Sequence, residues 1–164
     1  MQTALRWILS SVFAICLGAC AIVGGGTDLE HASGYSVTPP ADWKTQGRGD
    51  GDRAYKLPSG NVVSLVSSCN RNPDAPLDVL TRHLLMGTRN VTVSAREKKT
   101  FGTNEGLYSK VVTRLEGKPF HLDLFVLAKE KCVFDFSLIS PKPIGETDSK
   151  AFKEFIESFH YGKN

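Results

Sequence analysis

Alternating apolar and polar residues dominate the second half of this chain, and that period predicts strands. Over residues 118–129, Phe120, Leu122, Leu124, Val126 and Ala128 fall on one face, with His121 and Asp123 opposite. Cys132, Phe134, Phe136 and Leu138 then share a face, with Asp135 and Ser137 opposite. Two more strand-like runs precede these, at 91–101 and 105–115. Glu116-Gly117-Lys118 and Lys129-Glu130-Lys131 are short enough for hairpin turns, so the four runs predict an antiparallel meander. Upstream, residues 54–57 and 61–68 flank Pro58-Ser59-Gly60 and predict another hairpin, with Val63, Leu65 and Ser67 on one face. Tyr35-Ser36-Val37 reads as a short strand stopped by Pro39-Pro40, and Trp43 as an anchor into the core.

The period changes twice to that of a helix. Leu77, Leu80, Leu84 and Leu85 predict a helix from near Pro76, capped by Asp74 or Ala75 and ended by Gly87. Phe152, Phe155, Ile156 and Phe159 predict a second helix over 148–161, with Thr147, Asp148 or Ser149 at its start and Gly162 after it. That stripe reads as core packing against the sheet. The fold class is therefore α+β: an antiparallel meander packed by two or more helices.

The N-terminus follows another pattern. Residues 1–6 hold one arginine, and the 11 residues Trp7 to Leu17 are apolar except for Ser10 and Ser11. As a helix this run spans about 17 Å, against roughly 30 Å for a hydrocarbon core, which fits a signal peptide and not a membrane span. Leu17-Gly18-Ala19-Cys20 follows directly and resembles a bacterial lipobox. Small Gly18 and Ala19 admit the processing enzymes to the Cys20 thiol, whereas Ile15 crowds the competing Cys16. The resemblance implies cleavage between Ala19 and Cys20, then a thioether-linked diacylglycerol and an N-acyl chain on Cys20. Two or three acyl chains give stable anchoring, where one gives marginal binding. Ala21 in place of Asp favours the outer membrane, facing the periplasm, by the sorting pattern of enteric bacteria. The alternative is an ordinary secreted protein, because Ala19-Cys20-Ala21 also satisfies a small-x-small cleavage pattern.

Three segments result: a signal peptide at 1–19, a lipidated cysteine and flexible tether at 20–33, and one globular domain at 34–164. The Gly24-Gly25-Gly26 tether reads as lacking fixed structure up to Gly34. The order of elements in the domain resembles the PsbP-like α/β/α sandwich. It has a first strand, Pro39 to Trp43, an early helix, a four-strand meander, and a Phe-rich last helix ending in Ser158-Phe159. That family includes bacterial lipoproteins and photosystem-associated subunits. It implies binding or assembly roles and offers no catalytic residues.

Charge and candidate chemistry narrow the function. The chain carries +3, or +2 once Arg6 leaves with the leader, which gives no sign of a nucleic-acid partner. Glu97 breaks the tightest basic cluster, Arg96, Lys98 and Lys99, which reads as a solvated strand face. His31, His83, His121 and His160 are scattered and fit neither a metal site nor a catalytic triad. No Gly-x-Ser-x-Gly elbow or phosphate loop occurs, so no cofactor, metal or catalytic residue is assigned. Arg48-Gly49-Asp50, the Asp50/Asp52 pair and the Asn90-Val91-Thr92 sequon read as loop or idle chemistry. After processing, Cys69 and Cys132 remain, and in an oxidising compartment they read as a disulfide; two separate buried thiols are the alternative.

The resulting expectation is a non-enzymatic lipoprotein of the bacterial envelope. It is held to the membrane by acyl chains on Cys20 and binds or assembles with an envelope protein. A carrier of a small apolar ligand or lipid between sheet and helix is the alternative. A hydrolase with a hidden site, using His121 or His83 beside a carboxylate, stands third.

Overall fold

A computed structural model describes residues 30–46, 52–69 and 74–162. The expected signal peptide, Ala19, Cys20, most of the expected tether and the Arg48-Gly49-Asp50 tripeptide lie outside the described residues. In chain order the elements are β1 (Tyr35–Ser36), β2 (Lys44–Thr45), β3 (Arg53–Lys56), β4 (Val62–Cys69), α1 (Leu77–His83), β5 (Arg89–Phe101), β6 (Asn104–Leu115), β7 (Lys118–Lys129), β8 (Cys132–Ser140), α2 (Glu146–Glu157) and β9 (His160–Tyr161). Seven strands form one antiparallel sheet in the order β2-β3-β4-β8-β7-β6-β5, and β1 pairs with β9 in a small second sheet.

The predicted meander is present, with β7 covering the expected residues. Glu116 and Gly117, at φ 50° and 79°, make the left-handed turn that a two-residue hairpin between right-twisted strands requires. The hairpin about Pro58-Ser59-Gly60 is also present. Val63, Leu65 and Ser67 point to the same buried side, as their alternation predicts.

Helices cover both faces of the sheet. On one face a row of paired residues crosses four strands: Leu65 opposite Phe136, Phe136 opposite Phe125, and Phe125 opposite Tyr108. Phe152, Phe155 and Ile156 of α2, followed by Phe159, close over this row in the main core. Gly106 lets the core close: a Cβ there would lie 2.5 Å from the Val126 carbonyl and 2.6 Å from the Phe125 ring. On the other face α1 and the turn after it cover β6 and β7, where Leu85 packs with Val111 and Leu124. β7 is thus lined on both sides. Leu122 and Leu124 meet the smaller core, while the larger one takes Phe125 and Leu127 from the opposite face.

Several expectations are corrected. α1 ends at His83, short of the predicted Gly87. Its N-cap is Pro76, not Asp74 or Ala75, and no side chain caps it. Leu85 is buried from the following turn, and Leu84 faces solvent. α2 runs Glu146–Glu157 with Gly145 as N-cap, and does not reach Tyr161. The last residues leave the helix because His160 and Tyr161 pair with Ser36 and Tyr35. Those backbone bonds replace the helical ones while Phe159 stays buried. The first strand, read from Tyr35-Ser36-Val37, is present as Tyr35–Ser36 and lies in the small sheet. The end of the tether has fixed structure: Glu30 bridges to Cys69 on the free side of the β4 terminus.

Candidate functional site

Residues 30–35, where the described chain enters the sheet, take part in a polar network. The Cys69 amide donates to the Glu30 carbonyl at 2.7 Å, and the Ala32 amide to Ser67 Oγ at 2.8 Å. Asp52 lies beneath: its Oδ2 accepts from the Ser67 amide at 2.8 Å, and its Oδ1 lies 2.6 Å from His31 Nδ1. Tyr35 packs on the Phe134 and Phe159 rings, with the Arg53 guanidinium 5.7 Å above its own ring. Ser158 Oγ accepts from the Thr38 amide at 2.9 Å. Residues that the sequence places in separate regions therefore clamp the chain where it joins the sheet. Cys69 and Cys132 are opposite one another in register, with Cα atoms 4.0 Å apart, and form the expected disulfide. The Tyr161 hydroxyl lies 3.6 Å from Cys132 Sγ.

A second polar cluster is buried under the first turn of α2. Asp123 is 2% exposed, and its Oδ2 accepts from Tyr108 Oη at 2.6 Å and from Ser149 Oγ at 3.0 Å. Lys110 Nζ is 4.0 Å away and, with Lys150 and Lys153, borders an open hollow beside it. Sequence reasoning placed Asp123 on the polar face of β7 and Ser149 at a helix cap, and missed that they meet. A lone carboxylate between Leu122 and Leu124 in an apolar run was the available signal.

Both clusters hold phenols protonated. Burial, then the charge of Asp52, pushes Tyr35 up from 10.0 to about 12. Burial, then the hydrogen bond to Asp123, pushes Tyr108 up as well. The folded chain thus keeps these protons more tightly than the unfolded chain does. Stability from this source is complete below pH 10.0 and is lost as pH rises through about 12. Urea midpoints measured from about pH 9 to about pH 12 should fall progressively, and Tyr35→Phe should flatten the fall. An unchanged slope in that variant would remove Tyr35 from the account.

The four histidines sit on separate parts of the fold. His31 pairs with Asp52, His83 is exposed at the end of α1, His121 is half-buried on β7, and His160 is exposed on β9. Among the described residues, no group of three or more His, Cys, Asp or Glu is arranged to hold a metal ion. No helix among the described residues is long and apolar enough to cross a membrane.

No known family model matches the chain, and no curated protein sequence does. Solved structures do share its fold. The cyanobacterial PsbP protein CyanoP from Synechocystis is 18% identical, with a TM-score of 0.57 over 89% of this chain and 99% of its own. LpqN, described as involved in cell envelope biogenesis of Mycobacterium tuberculosis, is 15% identical, with a TM-score of 0.52 over 84% of this chain and 87% of its own. A Bacteroides thetaiotaomicron protein is 19% identical, with a TM-score of 0.58 over 79% of this chain. This chain spans 45% of that protein's length. At these identities the likeness is one of fold, and the PsbP-like sandwich expected from the order of elements is the fold found.

Proposed function

We propose that the protein is a non-enzymatic lipoprotein of the bacterial envelope that binds or helps assemble a protein partner. Acyl chains on Cys20 would hold it, with the outer membrane facing the periplasm as the favoured site. One observation favours surface binding over carriage of an apolar ligand: aromatic rings fill the space between sheet and α2. Phe125, Phe134, Phe136, Phe152, Phe155 and Phe159 are all less than 2% exposed, whereas a ligand pocket needs an open apolar cavity there. The envelope role described for LpqN supports the same class of function. So does the fixed junction at Glu30, which suits a domain held at the end of a short tether.

Intact mass spectrometry of membrane-purified protein tests the anchor. The expected N-terminus is Cys20 carrying diacylglycerol and an N-acyl chain, and Cys20→Ser should abolish the modification. An unmodified N-terminus at Ile22, or a retained leader, would overturn the proposal.

A further inference from the structure

Resting on the partner-binding role, we propose that the corner formed by the turn after α1 and the open end of the β5–β6 hairpin docks an acidic, aliphatic segment of a protein partner. Large apolar side chains with more than a third of their surface exposed are Leu84, Met86, Val91, Val93, Val112 and Leu115 among the described residues. Isolated exposed aliphatics are ordinary, but these six fall in just two stretches, 84–93 and 112–115. Strand register brings the stretches together along edge strand β5: Val93 pairs with Val111 on the face that the turn after α1 covers, and Thr92 with Val112 and Arg89 with Arg114 on the opposite face. Leu85, between exposed Leu84 and Met86, packs on Val111 and ties the turn to the same place. Met86 is 73% exposed, the most of the six.

Charge identifies the occupant. Residues 79–96 contain Arg82, Arg89 and Arg96 and no acidic residue, although Arg82 is paired with Asp78 just outside that stretch. Residues 110–118 add Arg114 and Lys118 against Glu116, Lys110 being turned to Asp123. Arg89 and Arg114 stand directly opposite each other across two strands, where like charges repel. Neither makes an ion pair with a carboxylate among the described residues. An extended acidic segment along the β5 edge places alternate side chains on the two faces, so its carboxylates relieve that repulsion while its aliphatic side chains cover Val93 and Met86.

A second copy of this chain would bring the same positive charges together. A bilayer fits the geometry poorly. The tether joins at Glu30 beside Cys69, level with the start of β6, whereas Leu115 ends that strand. Leu115, at the far limit of the corner, thus lies about 35 Å along the sheet from the junction.

The test uses the full mature chain, residues 20–164, carrying Cys20→Ser so that it needs no detergent. Probes are fluorescent peptides of alternating Glu and Leu, alternating Lys and Leu, and alternating Glu and Ser. The Glu–Leu peptide should bind, weakening as salt rises, and should bind more tightly than the other two. Arg114→Glu should weaken it about ten-fold or more, with thermal stability kept or raised because the new carboxylate faces Arg89. Met86→Ser combined with Val93→Ser should weaken it similarly. Four results would overturn the assignment. They are no Glu–Leu binding, equal binding of the Lys–Leu peptide, a dimer that Arg114→Glu dissociates, and flotation on phosphatidylethanolamine–phosphatidylglycerol vesicles that the same variant abolishes. Lipidation of native protein is read separately. A modified Cys20 without peptide binding defeats the corner alone, and an unmodified Cys20 with peptide binding defeats the envelope-lipoprotein reading alone.

Discussion

Replacing Phe155 with alanine is expected to destabilise the domain by about 3–5 kcal/mol. Phe155 is fully buried at the middle of the α2 stripe. Its ring centroid lies 5.4 Å from Trp43, 5.6 Å from Tyr55 and 6.0 Å from Phe136, so one side chain joins the helix to the β2 edge and to central strand β8. Removing it takes away the transfer free energy of a phenyl group. It also leaves a cavity walled by rings on different elements, which cannot all relax inward together. Urea denaturation measures the loss. Lys150→Ala, on the exposed side of the same helix, should change stability by less than about 0.5 kcal/mol. A loss below about 1 kcal/mol in Phe155→Ala would mean that α2 is not docked through this ring.

How much of this was legible beforehand depends on the range of the interactions. The meander could be read because a strand period of two and a two-residue turn are local signals, as at Lys118–Lys129 and Glu116-Gly117. The inward face of α2 was legible for the same reason. The helix ends were not. Phe159 continues the apolar spacing, yet the chain leaves the helix before it to satisfy a strand pairing with Tyr35 and Ser36, more than 120 positions away. No local pattern carries that pairing. The polar clusters were missed for a similar reason. Asp123 alternates correctly as a polar position on β7, and only the arrival of Tyr108 from the neighbouring strand and Ser149 from α2 makes it an internal one. The six exposed aliphatics read as ordinary strand and helix residues until strand register gathers them at one corner. The resemblance of Leu17-Gly18-Ala19-Cys20 to a lipobox stands apart, since those residues lie outside the described part of the fold.

Breaking the Cys69–Cys132 disulfide is expected to cost about 4 kcal/mol. The bond closes a loop with a sequence separation of 63, and in the chain-entropy model that closure removes this much freedom from the unfolded chain. It joins the last residue of β4 to the first of β8, the two strands that hold the middle of the sheet. Cys69 is also the residue whose amide bonds to Glu30, so a pull along the tether reaches the sheet where the two strands are covalently joined. Cys69→Ala with Cys132→Ala should therefore lower the urea midpoint. It should also speed hydrogen exchange at the residue 69 amide more than at the β6–β7 pairing, which lies within the loop but is held by its own two-residue turn at Glu116-Gly117. Thiol titration of denatured, unreduced chain carrying Cys20→Ser and lacking its leader should find no free thiol when the protein has been exported to an oxidising compartment. Two titratable thiols per chain would refute the bridge. A stability loss near zero in the double alanine variant would show that the unfolded chain is not constrained by it, since the folded packing around Phe134 and Tyr161 changes little on losing two sulfur atoms.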